Sequence, residues 1–359
     1  MDIISFTAVT LIFLSVCCGV LAKPLVSVEG AKNGVGYSFD VLIPSLFPFI
    51  FLSNFAVEYG ISNRIGKLLA PFTEKVLYLP GEAGVTVFLS LVGGFPVGAV
   101  GINALYKQGL ISEKQAQRML WFCVNSGPAF LISVVGAELY NSEIMGIVLF
   151  VSQALSSLLL GIVFGLFARK KEPLQRNFTT PKTDCDFSSA FVGSAKNACI
   201  STVNLCALVI LFSTFGTLFF VFFNIDKYSA IGLAISSLLE VTDGCKCLAD
   251  SNMPIYLTAL AVGWSGVCVH FQIFAAAESF GVKKMMFYFS RILNGAFTAL
   301  LTLAAAYFLK LDSEVFSNLK NCETSITSNT FWGSAALLTA SILFLIFMNS
   351  YIKTAKDNC

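Results

Sequence analysis

The residues best suited to bind something lie where apolar segments interrupt themselves. In WFCVNSGPAFLISVVGAE (121–138), Asn125, Ser126, Gly127 and Pro128 stand midway through a run long enough to cross a bilayer. Gly127 reaches dihedrals that other residues resist. Pro128 suits a first helical position because it has no amide to leave unpaired. Residues 121–125 are therefore expected to end one half-helix and 128–138 to begin another, with Ser126 or Gly127 as its cap. The new helix would present free N–H groups and roughly half a positive charge at its start, a site for an anionic or carbonyl-bearing ligand.

Three further stretches break in the same manner. They hold Gly94 and Phe95 (GGFPVG), Glu240, Asp243 and Lys246 (EVTDGCK), and Trp264, Ser265 and Gly266 (GWSGV). Unpaired backbone groups are not tolerated in lipid, so each break must be buried in protein or line a water-filled cavity. Glu240 or Asp243 can bind a coupling ion, H+ or Na+, or pair with Lys246; the plainer alternative is that the helix surfaces there. His270, the only histidine, can contact an acidic ligand or relay a proton, or be hydrogen-bonded within a bundle. Gln272 and Asn125 offer uncharged ligand contacts or helix–helix hydrogen bonds. This is the chemistry of binding, and no enzyme is expected. A single histidine excludes a two-His metal site, and no His-Glu-x-x-His, Gly-x-Ser-x-Gly or Walker A sequence occurs. Cys245 and Cys247 form a lone CxC without a nearby histidine, so neither metal nor cofactor is expected.

The elements that must position these residues are membrane spans. Only 12% of the 359 residues are charged and the mean hydropathy is +0.78, against about a quarter charged in a soluble domain. Uncharged runs of spanning length recur at 3–22, 41–57, 83–106, 119–137, 144–168, 197–225, 251–277, 292–309 and 324–352. They are continuously apolar rather than alternating, which excludes a β-barrel. The net charge of +2 argues against a nucleic-acid partner; the partners expected are lipid and a small solute, and an oligomer is open. The N-terminal run lacks a basic flank and reads as a retained helix.

Short loops rich in Lys and Arg stay in the cytoplasm. The most basic loop, ARKKEPLQRNFTTPK (168–182), is therefore expected inside, with Lys283, Lys284 and Arg291 at an inner edge and 311–329 outside. Residues 106–120, capped at Ser112, and 60–78 read as amphipathic interfacial helices. The basic loop divides the chain: 1–37 form an N-terminal helix and loop, 38–168 one repeat, 169–189 the loop, 190–310 a second repeat, and 311–359 an external loop and last helix. SLVGGFPVG (90–98) matches SSLLEVTDG (236–244), and FCVNSGPAFLISVV (122–135) matches LAVGWSGVCVHFQIF (260–274) around a Ser-Gly step. Broken helices in corresponding positions of two halves point to a transporter site.

LIPSLFPFIFLSNF, GGFPVGAVGINALYKQGLISEKQAQRMLWFCVNSGPAFLISVVG and LAVGWSGVCVHFQIFA together resemble the sporulation integral membrane protein YlbJ family, over about residues 40–300. These proteins of endospore-forming bacteria carry the nucleoside-recognition, or Gate, domain. The resemblance implies an all-α polytopic membrane protein of two repeats with broken or re-entrant helices, related to the concentrative nucleoside transporters. It implies a multi-pass protein of the bacterial cell membrane, at the mother-cell-derived outer forespore membrane, serving spore cortex formation by moving dipicolinic acid. The derived site can hold that flat dianion. Half-helix starts after Ser126-Gly127 and Ser265-Gly266 would meet its carboxylates, Trp264, Phe95 or Phe130 its ring, and His270 or Lys246 would add positive charge. A nucleoside or nucleobase carrier, and a scaffold without transport, remain the alternatives.

Overall fold

The computed structural model describes residues 17–171 and 186–309. Of the expected spans, 324–352 and all but the last residues of 3–22 lie outside them, as does most of the basic loop. The described residues hold helices and no strand. Helices α1 (Pro24–Tyr37) and α2 (Ile43–Glu58) are joined by a π-helical turn, Ser38–Leu42. The two arms meet at 57°, where Pro44 has no N–H to give and the π-turn rewinds the backbone. Helix α3 (Ile61–Phe72) runs into a second π-turn, Thr73–Leu77. Then come α4 (Ala83–Val92), α5 (Phe95–Lys107), α6 (Glu113–Leu120), the π-helical α7 (Ala129–Leu139) and α8 (Glu143–Lys171). After the basic loop follow α9 (Phe187–Phe222), α10 (Ala230–Leu239), α11 (Val241–Asp250), α12 (Ile255–Trp264), α13 (Gly266–Ala276) and α14 (Lys284–Phe308).

The protein is polytopic. Among the described residues, Glu143–Lys170, Phe187–Phe222, Ile255–Ala276 and Lys284–Phe308 are long and apolar enough to cross a membrane, and the bent α1–α2 pair is either a fifth, broken span or a re-entrant loop. The run 83–106 is a hairpin and not one span. Gly98 of α5 lies against Ser90 of α4 and Gly101 against Thr86, so the two short helices pack antiparallel. Helices α10 and α11 fold back likewise, with Gly244 against Ser237. Close approaches of this kind need small residues, the usual device for helix pairs in lipid.

A further sequence expectation is corrected. Helix α6 does have its Ser112 cap, in a capping box with Gln115, but Gln115 to Leu120 are all buried, so it packs inside the protein rather than along an interface. Gln117 reaches the Gly281 carbonyl and accepts from the Lys283 amide at 2.9 Å, which accounts for polar side chains on a buried face. Arg291 is fully buried, and its partners are backbone carbonyls of the first break.

Candidate functional site at four helix breaks

Each hairpin tip packs against a broken span. In the first half, the tip is Gly93-Gly94, with Gly94 at φ +92°, and the break is 121–127, which carries no helix. A Cβ on Gly127 would stand 3.0 Å from the Val92 carbonyl and 3.2 Å from the Gly94 amide. In the second half, the tip is Glu240, extended between α10 and α11, and the break is Ser265-Gly266. A Cβ on Gly266 would stand 2.9 Å from the Val241 amide, and Gly266 sits at φ +76°, where other side chains are strained. Ser265 holds φ +79° without being glycine, a departure of the sort that clusters at functional sites.

The two halves meet around a small central cavity of about 50 Å³. Gly94, Phe95, Ser126, Gly127, Glu240 and Gln272 all line it, bringing together six of the expected site residues. Ser126 Oγ is buried there without a partner. No side chain caps the N-terminus of α5 or of α7. By contrast Glu240 caps α11, its carboxylate accepting from the Thr242 amide at 3.1 Å and the Asp243 amide at 2.7 Å.

Wider cavities flank the centre. One, about 400 Å³, is lined by Asn54, Asn103, Lys107, Asn197, Asn204 and Gln272 among others. The other, about 380 Å³, is lined by Tyr37, Thr217, Lys227, Glu240, Asp243 and Lys246 among others. Gln272 is shared with the centre by the first, Glu240 and Tyr37 by the second. Helix α9 lines all three in sequence order: Asn197, Ser201, Asn204 and Leu208, then Val209 at the centre, then Ser213, Thr217 and Phe220. Steps of three and four residues put 197–208 on one helix face and 209–220 on another, which the single step from Leu208 to Val209 turns by about 100°. From 197 to 220 the lining runs along α9 for about 35 Å at 1.5 Å per residue. The open end of hairpin α4–α5, at Lys107, lies with the early part of α9 and that of α10–α11 with its late part, so the hairpins enter from opposite ends.

A family model described as nucleoside recognition, Gate, matches residues 39–225. The chain belongs to the Gate family. It is 25% identical over 323 residues to the sporulation integral membrane protein YlbJ of Bacillus subtilis, covering 80% of this chain and 79% of that protein. It is 35% identical over 75 residues to the uncharacterized protein MJ0880 of Methanocaldococcus jannaschii, covering 21% of this chain and 24% of that one. No solved structure matches.

In this Gate protein the unwound backbone is held by side chains that the sequence reading missed. Arg291 Nη1 donates to the Val124 carbonyl at 2.7 Å, and Nη2 to the Trp121 carbonyl. Gln153 bridges the two broken spans: its Oε1 accepts from the Ser126 amide at 3.0 Å and its Nε2 donates to the Val262 carbonyl at 3.4 Å. Asn294 forms a parallel bridge. It donates to the Gly263 carbonyl at 3.4 Å and accepts from Ser156 Oγ at 2.7 Å. Ser157 then reaches Asn125, whose Nδ2 donates to the Phe122 carbonyl at 3.1 Å. Asn125 is therefore a backbone clamp behind the cavity. Only the position of Gln153, Ser156 and Ser157 at helical spacing in an apolar span signalled this role.

The Gate site leaves Trp264 and His270 outside it. Trp264 Nε1 donates to the Leu238 carbonyl at 3.1 Å, His270 Nε2 lies 2.8 Å from the Trp264 carbonyl, and the two rings meet at 4.4 Å. Val269 and Gln272 face the cavity; His270, one residue on from Val269, is turned about 100° around the helix. Ser265 is buried and its hydroxyl bonds the Val262 carbonyl at 3.3 Å. Asp243 pairs with Lys227 at 2.7 Å rather than with Lys246, which is exposed on the second flanking cavity.

Proposed function

We propose that this protein is an ion-coupled secondary transporter of a small organic anion, dipicolinate first, acting during endospore formation in a bacterial cell membrane. The observation that carries the reading is the row of three cavities along the length of α9, narrowed where the four breaks meet. The centre holds about 50 Å³, against roughly 150 Å³ for a cavity that admits benzene. The structure thus corresponds to a state constricted between two wider approaches, as alternating access requires. Residues 38–168 and 190–310 serve as the two repeats, one hairpin entering from each side. The sporulation setting rests on the name of the Bacillus relative, and the outer forespore membrane is the place that the family resemblance implies.

The uncapped starts of α5 and α7 supply N–H groups for a carboxylate, and Ser126 a hydroxyl. No Lys, Arg or His lines the central cavity, whereas Glu240 does. H+ or Na+ held at Glu240 removes the glutamate's own charge and provides the coupling, and the free N–H groups of α5 and α7 face the dianion. The absence of a lining cation favours a second reading, an uncharged nucleoside or nucleobase hydrogen-bonded by Gln272. The test is uptake of dipicolinate, with adenosine and uridine alongside, into vesicles holding the purified protein under imposed H+ or Na+ gradients. Saturable dipicolinate uptake, lost in a folded Ser126→Ala/Gly127→Leu variant, supports the first reading. Nucleoside uptake replaces it with the second, and no movement of any solute leaves a scaffold.

A further inference from the structure

The cavity of about 400 Å³ at the early part of α9 has features that the central site does not explain. Asn197, Ser201 and Asn204 form a polar stripe at helical spacing on a helix apolar enough to span. Polar side chains in a span normally face a cavity or a partner. Across from them stand Asn54 on α2 and Asn103 on α5. Asn54 is 5% exposed, and its Nδ2 is buried without a hydrogen-bond partner. A donor left in that state is costly unless something accepts from it. Gln272, 4% exposed, is the residue this cavity shares with the central one.

The charges at its mouth narrow the choice of ligand. Lys107 pairs with Glu278 at 3.4 Å. Glu58 accepts from Ser194 Oγ and Asn197 Nδ2, each at 2.9 Å, and lines the cavity with no cation of its own. A bare dianion is disfavoured there, and a solute with hydrogen-bond acceptors and no net charge fits.

We propose that this cavity is a transit site, distinct from the central one, that takes the carried solute in uncharged or charge-offset form. Asn54 Nδ2 is the anchoring donor, the α9 amides are the opposite wall, and Gln272 is the point of transfer to the centre. The inference rests on the transport reading above. Its test is equilibrium binding of radiolabelled dipicolinate and of radiolabelled uridine to the full-length protein in lipid nanodiscs, with uptake measured in parallel. The probe that is carried should fill two sites per chain in the wild type and one in Asn54→Leu, with initial uptake from the early-α9 side reduced about three- to tenfold. Asn204→Leu, at an exposed position of α9, should act in the same direction and guards against misfolding of the first variant. One site in a wild type that carries the probe, or unchanged binding in both variants, overturns the transit site alone. If neither probe is bound or carried, the transport reading falls and this inference with it.

Discussion

The two hairpin tips do the same geometric task with opposite electrostatics. The α4–α5 tip turns on Gly93-Gly94 and leaves the start of α5 without a side-chain cap. The α10–α11 tip turns on Glu240, whose carboxylate takes the first free amides of α11. Both starts carry the positive end of a helix dipole; one offers it to the cavity and the other answers it from within the chain. The two hairpins thus line a cavity that is not electrically symmetric. On the proposed transport reading, a ligand anion belongs near α5 and α7, and a cation or proton near Glu240.

Four experiments break or sharpen this contrast. The largest effect is expected from comparing Gly266→Leu with Gly127→Leu. Both side chains would strike a hairpin tip and abolish uptake, but Gly266 also has φ +76°, which adds about 1–3 kcal/mol of backbone strain. Thermal denaturation should rank Gly266→Leu as the less stable, and equal stability would remove that difference between the halves. Next is Gln153→Leu, which leaves the Ser126 amide unpaired, at about 1–3 kcal/mol for such a buried group, and leaves the Val262 carbonyl only its Ser265 hydroxyl. A lowered Tm with uptake also lost is the expected result; an unchanged Tm would show that the bridge is not needed.

Glu240→Ala removes a cap, about 1 kcal/mol, and Glu240→Gln less, since an amide oxygen still accepts. In Glu240→Gln, gradient-driven accumulation should vanish while solute exchange between equal concentrations persists. Retained accumulation would move coupling elsewhere. The smallest effect is expected from Asp243→Asn. Its partner Lys227 and Asp243 itself are more than a third exposed, so stability should change by about 0.5 kcal/mol or less. A larger loss would give this tip a second functional carboxylate.

The positions of the breaks were legible because Gly, Pro and Ser clusters inside apolar runs conflict with a continuous helix. The hairpin at 83–106 was not, since an uncharged run of that length reads as a span until Gly98 and Gly101 are seen to admit Ser90 and Thr86. Gly94, Ser126, Gly127 and Glu240 reached the cavity because a break fixes where its own residues lie. Trp264 and His270 did not, because beside a break a side chain's direction depends on helical phase, and Val269 and Gln272 took the inward face. Arg291 and Gln153 were hidden for a different reason. Their partners are backbone groups far away in sequence, and a side chain's residue type does not say which carbonyl or amide it will meet.

The clamp on residues 121–127 has a thermodynamic consequence. Ordering one backbone residue costs about 1–2 kcal/mol of conformational entropy. Here Arg291, Gln153 and Asn125 fix an irregular stretch through hydrogen bonds that need no solute. That entropy is lost once, when the chain folds, and not again in every cycle. On the transport reading, affinity at the first break then carries no further cost for ordering this backbone, and selectivity comes from contacts that a fixed stretch already presents.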